Sequence, residues 1–178
     1  MNPAAKAPWF IENHFGEELT LDDIATSGGV SRFHMARVFG IATGHSVMGY
    51  VRGRRLTEAA RKLAGGAPDI LAVALDAGYN SHEAFTRAFR DRFGVTPEAL
   101  RARGNLDEIK LTEPIKMDET LLSNLEPPRR TWYTIWNKWL PESGYRAAEG
   151  PELERYGKEF DPRTGSGGFE IWIPIKKE

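Results

Sequence analysis

"SHEAFTRAF", residues 81–89, has a counterpart fifty positions upstream in "SRFHMARVF", residues 31–39. Serine stands at 31 and 81, arginine at 37 and 87, and phenylalanine at 39 and 89. A large apolar residue, Met35 or Phe85, sits inside each, and Gly44 and Gly94 close the two stretches at the same offset. A leading serine accepts from backbone N–H groups that the first helical turn leaves unpaired, and a trailing glycine suits a helix end. Each stretch is therefore predicted as a capped helix. Upstream, Ile24-Ala25 matches Val73-Ala74 and Gly29-Val30 matches Gly78-Tyr79, with Asn80 as one extra residue in the second turn. Each copy is then an apolar helix, a tight glycine turn and a serine-capped second helix, the helix-turn-helix pattern. One such match is common among helical hairpins; two at a constant offset are far more specific.

A helical wheel at about 100° per residue separates inside from outside. Phe85, Ala88, Phe89 and Phe93 share one face, and Glu83, Arg87 and Arg90 point away. In the first copy Met35, Val38 and Phe39 are expected inside, with Phe33 and Arg37 outside. Arginine can span guanine O6 and N7 in a major groove, and an apolar side chain can touch a thymine methyl. Arg37 and Arg87 are thus candidate DNA contacts, while Arg32, His82 and Arg90 are placed to meet phosphates. The bland alternative is a solvated helix face.

The rest of the chain is consistent with that reading. Its 178 residues allow one generous domain or two small ones. Hydrophobic content of 40% and charged content of 28% are ordinary for a globular chain. The absence of cysteine excludes disulfides, a thiolate metal site and a cysteine nucleophile. "MNPAAKAPWF" lacks a signal-peptide core, and no apolar run approaches the ~20 residues that span a bilayer, so a cytoplasmic location and no membrane partner are expected. The net charge of −1 hides an asymmetry: residues 31–103 hold 12 Lys+Arg against 6 Asp+Glu, and residues 106–178 hold 11 against 14. A basic half suits a polyanion partner. His14, His34, His45 and His82 are scattered without ligand spacing, "GSGG" sits in a hairpin-like turn, and no nucleophile–base pair is present. No catalytic residue, metal site or cofactor is expected, and the chain reads as a non-enzyme.

Residues 4–103 read as helices, with Ser46 and Thr96 as further N-caps and "VMGYVRGRRLTEAARKLA" as the long bridge between the copies. Gly49 and Gly53 inside that bridge cost ~1 kcal/mol each relative to alanine; close approach of a neighbouring helix would explain them. After Gly104 the sequence is mixed in sign and broken by Pro114, Pro127 and Pro128, a joint. "RTWYTIWNKWLPESG" then reads as a helix with Trp132, Ile135, Trp136, Trp139 and Leu140 on one side. "ELERYG" and "GFEIWIPIK" read as strands, the second alternating Phe169, Ile171, Ile173 and Ile175. The expected fold is mainly α with a small α+β C-terminal unit. Its divisions are a double helix-turn-helix domain at 1–105, a linker at 106–130 and a C-terminal unit at 131–178.

The residues from about 5 to 103 resemble the AraC/XylS family of bacterial transcription regulators. The pieces that match are "LTLDDIATSGGVSRFHMARVFGIATGHS", "YVRGRRLTEAARKL" and "ILAVALDAGYNSHEAFTRAFRDRFGVTPEALR". The resemblance implies that the helices after Ser31 and Ser81 enter successive major-groove segments of double-stranded DNA. It puts Phe33, Ala36, Arg37, His82, Glu83 and Arg87 at base-reading positions. The C-terminal sequence looks like the end of the GyrI-like domain of Rob-like regulators, usually two βαββ repeats around a cleft for small cationic or lipophilic effectors. Here the first repeat is missing, leaving half a GyrI-like module. Glu170 matches the family's pocket glutamate, with Trp172 beside it and Tyr156 on the preceding strand as a third candidate. A solvent-facing Glu170 is the alternative. A lone repeat leaves one sheet face uncovered, which suits a homodimer that rebuilds the cleft. The expectation is a sequence-specific DNA-binding transcription regulator, and the competing one a small-molecule-binding or titrating protein with a degenerate DNA-binding unit.

Overall fold

The computed structural model describes residues 3–115, 127–148, 150, 152–161, 164 and 166–177. Its N-terminal helices are α1 (Pro3–His14), α2 (Leu21–Gly28), α3 (Arg32–Thr43), α4 (Val47–Ala64), α5 (Ile70–Asp76), α6 (His82–Phe93) and α7 (Pro97–Arg103). The repeat is visible atom by atom. Ser31 Oγ accepts from the backbone N–H of His34 and Ser81 Oγ from that of Ala84, both at 3.2 Å. Gly29 and Gly78 make the two turns at φ 69° and 81°, where a side chain is disfavoured. Met35 and Phe39 of α3 pack with Ile11, Ile24, Val47 and Tyr50, while Phe85 and Phe89 of α6 pack with Leu56, Leu63, Val73 and Leu100. The single helix α4 therefore carries a core at each end and fixes one helix-turn-helix relative to the other.

A buried polar network locks this arrangement. Arg54 of α4, with its side chain 4% exposed, grips Glu12 of α1 at 2.8 Å through both Nε and Nη2. Its Nη1 donates to the Thr112 carbonyl at 2.9 Å, and Tyr50 Oη donates to Glu12 at 2.6 Å. The segment around Thr112, expected within the joint, lies along α4: Thr112 N–H donates to Thr57 and Ile115 N–H to Tyr50 Oη. The stretch 116–126 of the same joint lies outside the described residues.

This explains the bridge glycines differently from the sequence reading. A Cβ on Gly53 would stand 2.7 Å from Thr112 Oγ1, so an extended strap rather than a helix comes close. A Cβ on Gly49 would meet the capping Ser46 Oγ at 2.6 Å. Gly53→Ala is expected to lower stability by about 1–3 kcal/mol through overpacking, outweighing alanine's ~1 kcal/mol helix preference. A urea midpoint that rises instead would show that the strap yields.

The C-terminal unit begins with α8 (Pro127–Thr134), which continues through a π-helical turn (Ile135–Trp139) into α9 (Leu140–Glu142). Strands β1 (Tyr145–Ala147) and β4 (Ile175–Lys177) pair antiparallel, as do β2 (Leu153–Tyr156) and β3 (Phe169–Trp172). The wider hydrogen-bonded turn of the π segment keeps Trp132, Trp136 and Leu140 on one buried line. Trp139 is turned out to 48% exposure, a correction to the five-residue apolar side expected from the sequence. Ile171 and Ile173 pack on the tryptophans, but Pro174 interrupts the strand and Ile175 emerges in β4, 40% exposed. Val38 of α3 completes this third core, so the unit is docked on the first helix-turn-helix. Among the described residues no helix is long and apolar enough to cross a membrane.

Candidate nucleic-acid interface

The second copy presents its cations. Arg87 and Arg90 are exposed on α6 and form no ion pair with any described residue. His82 at the start of α6 is tied to Glu98 of α7, Nε2 to Oε1 at 2.9 Å. Glu83 turns back on the helix end, where its own backbone N–H and the Ser81 side chain hold its carboxyl below the usual range. It caps α6 more than it reaches outward. A cleft of about 440 Å³ between α4 and α6 is lined by Arg52, Arg55, Tyr79 and Arg87 among others. Arg52, which is exposed, escaped the sequence reading, as did Arg55, whose guanidinium donates to the Phe15 and Glu17 carbonyls. Their three-residue spacing in "VRGRRL" put both on one side of the bridge, and that was the usable signal.

The first copy differs. Phe33 is 72% exposed and Ala36 is exposed beside it. The Arg32 guanidinium lies 5.2 Å from the Phe33 ring centre and 4.0 Å from Asp22. Arg37, expected to point freely outward, instead meets the C-terminal unit. Its Nε is 2.6 Å from Glu152, its Nη2 is 3.5 Å from Glu154, and its guanidinium carbon lies 3.8 Å from the Trp132 ring centre. The Arg37 Nε–Glu152 contact is close but not aligned as a hydrogen bond, so it acts as a charge pair. Trp132 Nε1 and Tyr156 Oη both donate to Glu154, fixing its carboxylate beside Arg37.

The flank of α3 next to Arg37 explains the docking. Val38, assigned from the sequence to the helix-turn-helix core, packs against Trp132, Trp136 and Leu140 instead. The His34 ring sits 4.2 Å from Trp136, and burial pulls its pKa down to about 4. At neutral pH it is an uncharged ring packed at a tilt of 49° on the indole.

Two of the three ligand candidates, Glu170 and Trp172, come together. Strand register places Glu170 opposite Arg155 and Trp172 opposite Leu153 on one face, and Tyr156 opposite Phe169 on the other. On the first face Trp172 Nε1 donates to Glu170 at 3.1 Å and Arg155 lies 3.6 Å from the same carboxylate. Tyr156 is thereby removed from that group.

Comparison with known proteins follows the same division. A profile for a helix-turn-helix domain matches residues 24–103, and one for a GyrI-like small molecule binding domain matches residues 129–176. The transcriptional regulator Rob of Salmonella typhimurium is 34% identical over 110 residues, which cover 62% of this chain and 38% of Rob. The multiple antibiotic resistance protein MarA of Escherichia coli is 33% identical over 106 residues, covering 60% of this chain and 84% of MarA. This chain thus spans well under half of Rob and most of MarA. An AraC-type regulator from Chromobacterium violaceum superposes with a TM-score of 0.55 at 30% identity, over 59% of this chain and 95% of that one. The DNA-binding domain of AdpA, solved in complex with a target DNA, gives 0.54 at 26% identity, over 58% of this chain and 93% of that one.

Proposed function

We propose, from the premise that the chain belongs to the AraC/XylS family of transcription regulators, that it binds duplex DNA with α3 and α6 in successive major-groove segments on one face. The observation that carries this is the pair of equivalently capped second helices held at fixed separation by α4. Phe33, Ala36, Arg37 and Arg87 are the base readers in this reading. Arg32, His82 and Arg90, joined by Arg52 from the cleft, take phosphates. Glu83 stays at its helix cap. Likeness to the AdpA domain, which was solved with DNA, supports the placement.

Arg87→Ala is expected to weaken specific binding by about 1–3 kcal/mol, the worth of a good base contact. A gel-shift titration that shows no loss removes Arg87 from the reading set. Salt separates this function from the competing one: phosphate neutralisation makes affinity fall steeply with salt, whereas a degenerate DNA unit shows no such affinity.

For the C-terminal unit we propose an effector site for a small cationic or lipophilic molecule at Glu170 and Trp172, supported by the GyrI-like match. The same face leaves Leu153 57% and Trp172 60% exposed, an apolar surface suited to a second copy of the chain. Sedimentation equilibrium is expected to show a dimer. A strict monomer at micromolar concentration removes that part.

A further inference from the structure

The C-terminal unit holds the Arg37 side chain in a place made for a guanidinium. One planar cation meets two carboxylates and lies against an indole face, the three features that bind such a group tightly. The place is also pre-formed, because Glu154 is anchored by Trp132 and Tyr156 without help from α3. Burial pushes the Glu152 carboxyl up while Arg37 pulls it down, so an emptied site would leave a desolvated carboxylate without its cation. Arg37 is also an exposed-face residue of α3, flanked by Phe33 and Ala36, which remain open to solvent. The guanidinium cannot face Glu152 and a DNA base at the same time. Two carboxylates beside that crest would also repel incoming phosphates.

Resting on the DNA-binding reading above, we propose that the C-terminal unit is an intramolecular competitor of DNA: Glu152, Glu154 and Trp132 bind Arg37 in place of a base or phosphate. Bound in this way, the first helix-turn-helix is withheld while the second, with Arg87 exposed, stays available. DNA affinity is then set by the exchange of one arginine between two partners. Anything that loosens the docked unit strengthens binding at the first half of the site.

The test uses the full chain and a DNA fragment selected by the wild-type protein. Glu152→Gln/Glu154→Gln keeps the shape of both side chains and removes their charge. It is expected to bind the fragment about tenfold more tightly, in the range that close interfacial charge pairs command. Glu142→Gln/Glu159→Gln removes equal charge from the same unit away from Arg37 and is expected to change affinity far less. A second readout is independent of folding losses in the tail. Arg37→Ala should cost little affinity in the wild-type background, where a contact and a competitor vanish together, and at least several-fold more in the Glu152→Gln/Glu154→Gln background. Equal affinity of wild type and the charge-neutral variant, with the same Arg37→Ala effect in both, overturns the competition and leaves the DNA reading intact. Failure of all forms to bind any selected fragment overturns the DNA reading and this inference with it.

Discussion

Arg54→Ala is expected to destabilise the N-terminal unit by about 3 kcal/mol, because it removes a buried guanidinium and leaves the half-buried Glu12 carboxylate without its cation. Arg54 makes a bidentate pair with Glu12 and also donates to the Thr112 carbonyl, tying α1, α4 and the strap to one guanidinium. Among the described residues its removal leaves Glu12 with the Tyr50 hydroxyl as the remaining donor at its carboxylate, and takes the Arg54 donor from the Thr112 carbonyl. Arg54→Lys restores charge but not the fork, and is expected to recover only part of the loss. The check is a urea titration followed by circular dichroism: a midpoint lowered at unchanged slope. If Arg54→Ala unfolds like the wild type, the network is not what fixes the two helix-turn-helix copies to each other.

Trp136→Ala is expected to cost about 3–5 kcal/mol, confined to the docking of the C-terminal unit. Trp136 is 1% exposed and stands between the His34 ring of α3 and the Trp132 ring, 6.3 Å centre to centre. Its indole Nε1 has no hydrogen-bond partner among the described residues, so Trp136→Phe should be tolerated much better. Hydrogen exchange is the suitable measurement. Amides of the C-terminal unit and of the exposed flank of α3 should lose protection, and those of α5 and α6 should keep theirs. Uniform loss across both units would mean that the docked unit is part of one cooperative core.

The sequence made the double helix-turn-helix readable because its signals are local. Ser31, Ser46, Ser81 and Thr96 cap helices through their own next turn, and Gly29 and Gly78 carry positive φ in both turns. What it hid were contacts between distant segments. Nothing near Arg37 in the chain announces Glu152, and Val38 is apolar whether it faces Phe39's core or the tryptophans. Arg54 could have been noticed: it follows Tyr50 and precedes Thr57 on the buried stripe of α4, an odd place for a cation without a partner. The π turn at Ile135–Trp139 was not legible, since a shift of one residue decides whether Trp139 lies in or out. Strand alternation correctly paired Glu170 with Trp172, and the β2–β3 register then excluded Tyr156.

In the proposed complex α3 and α6 read neighbouring groove segments of one duplex face. Hydroxyl-radical footprinting at saturating protein, on a fragment selected from random DNA, tests it most directly. Two protected segments about 10 bp apart on one face are expected. In the Glu152→Gln/Glu154→Gln background Arg37→Ala should weaken only one of them, and Arg87→Ala only the other. A single protected segment at saturation, or two on opposite faces of the helix, would contradict it.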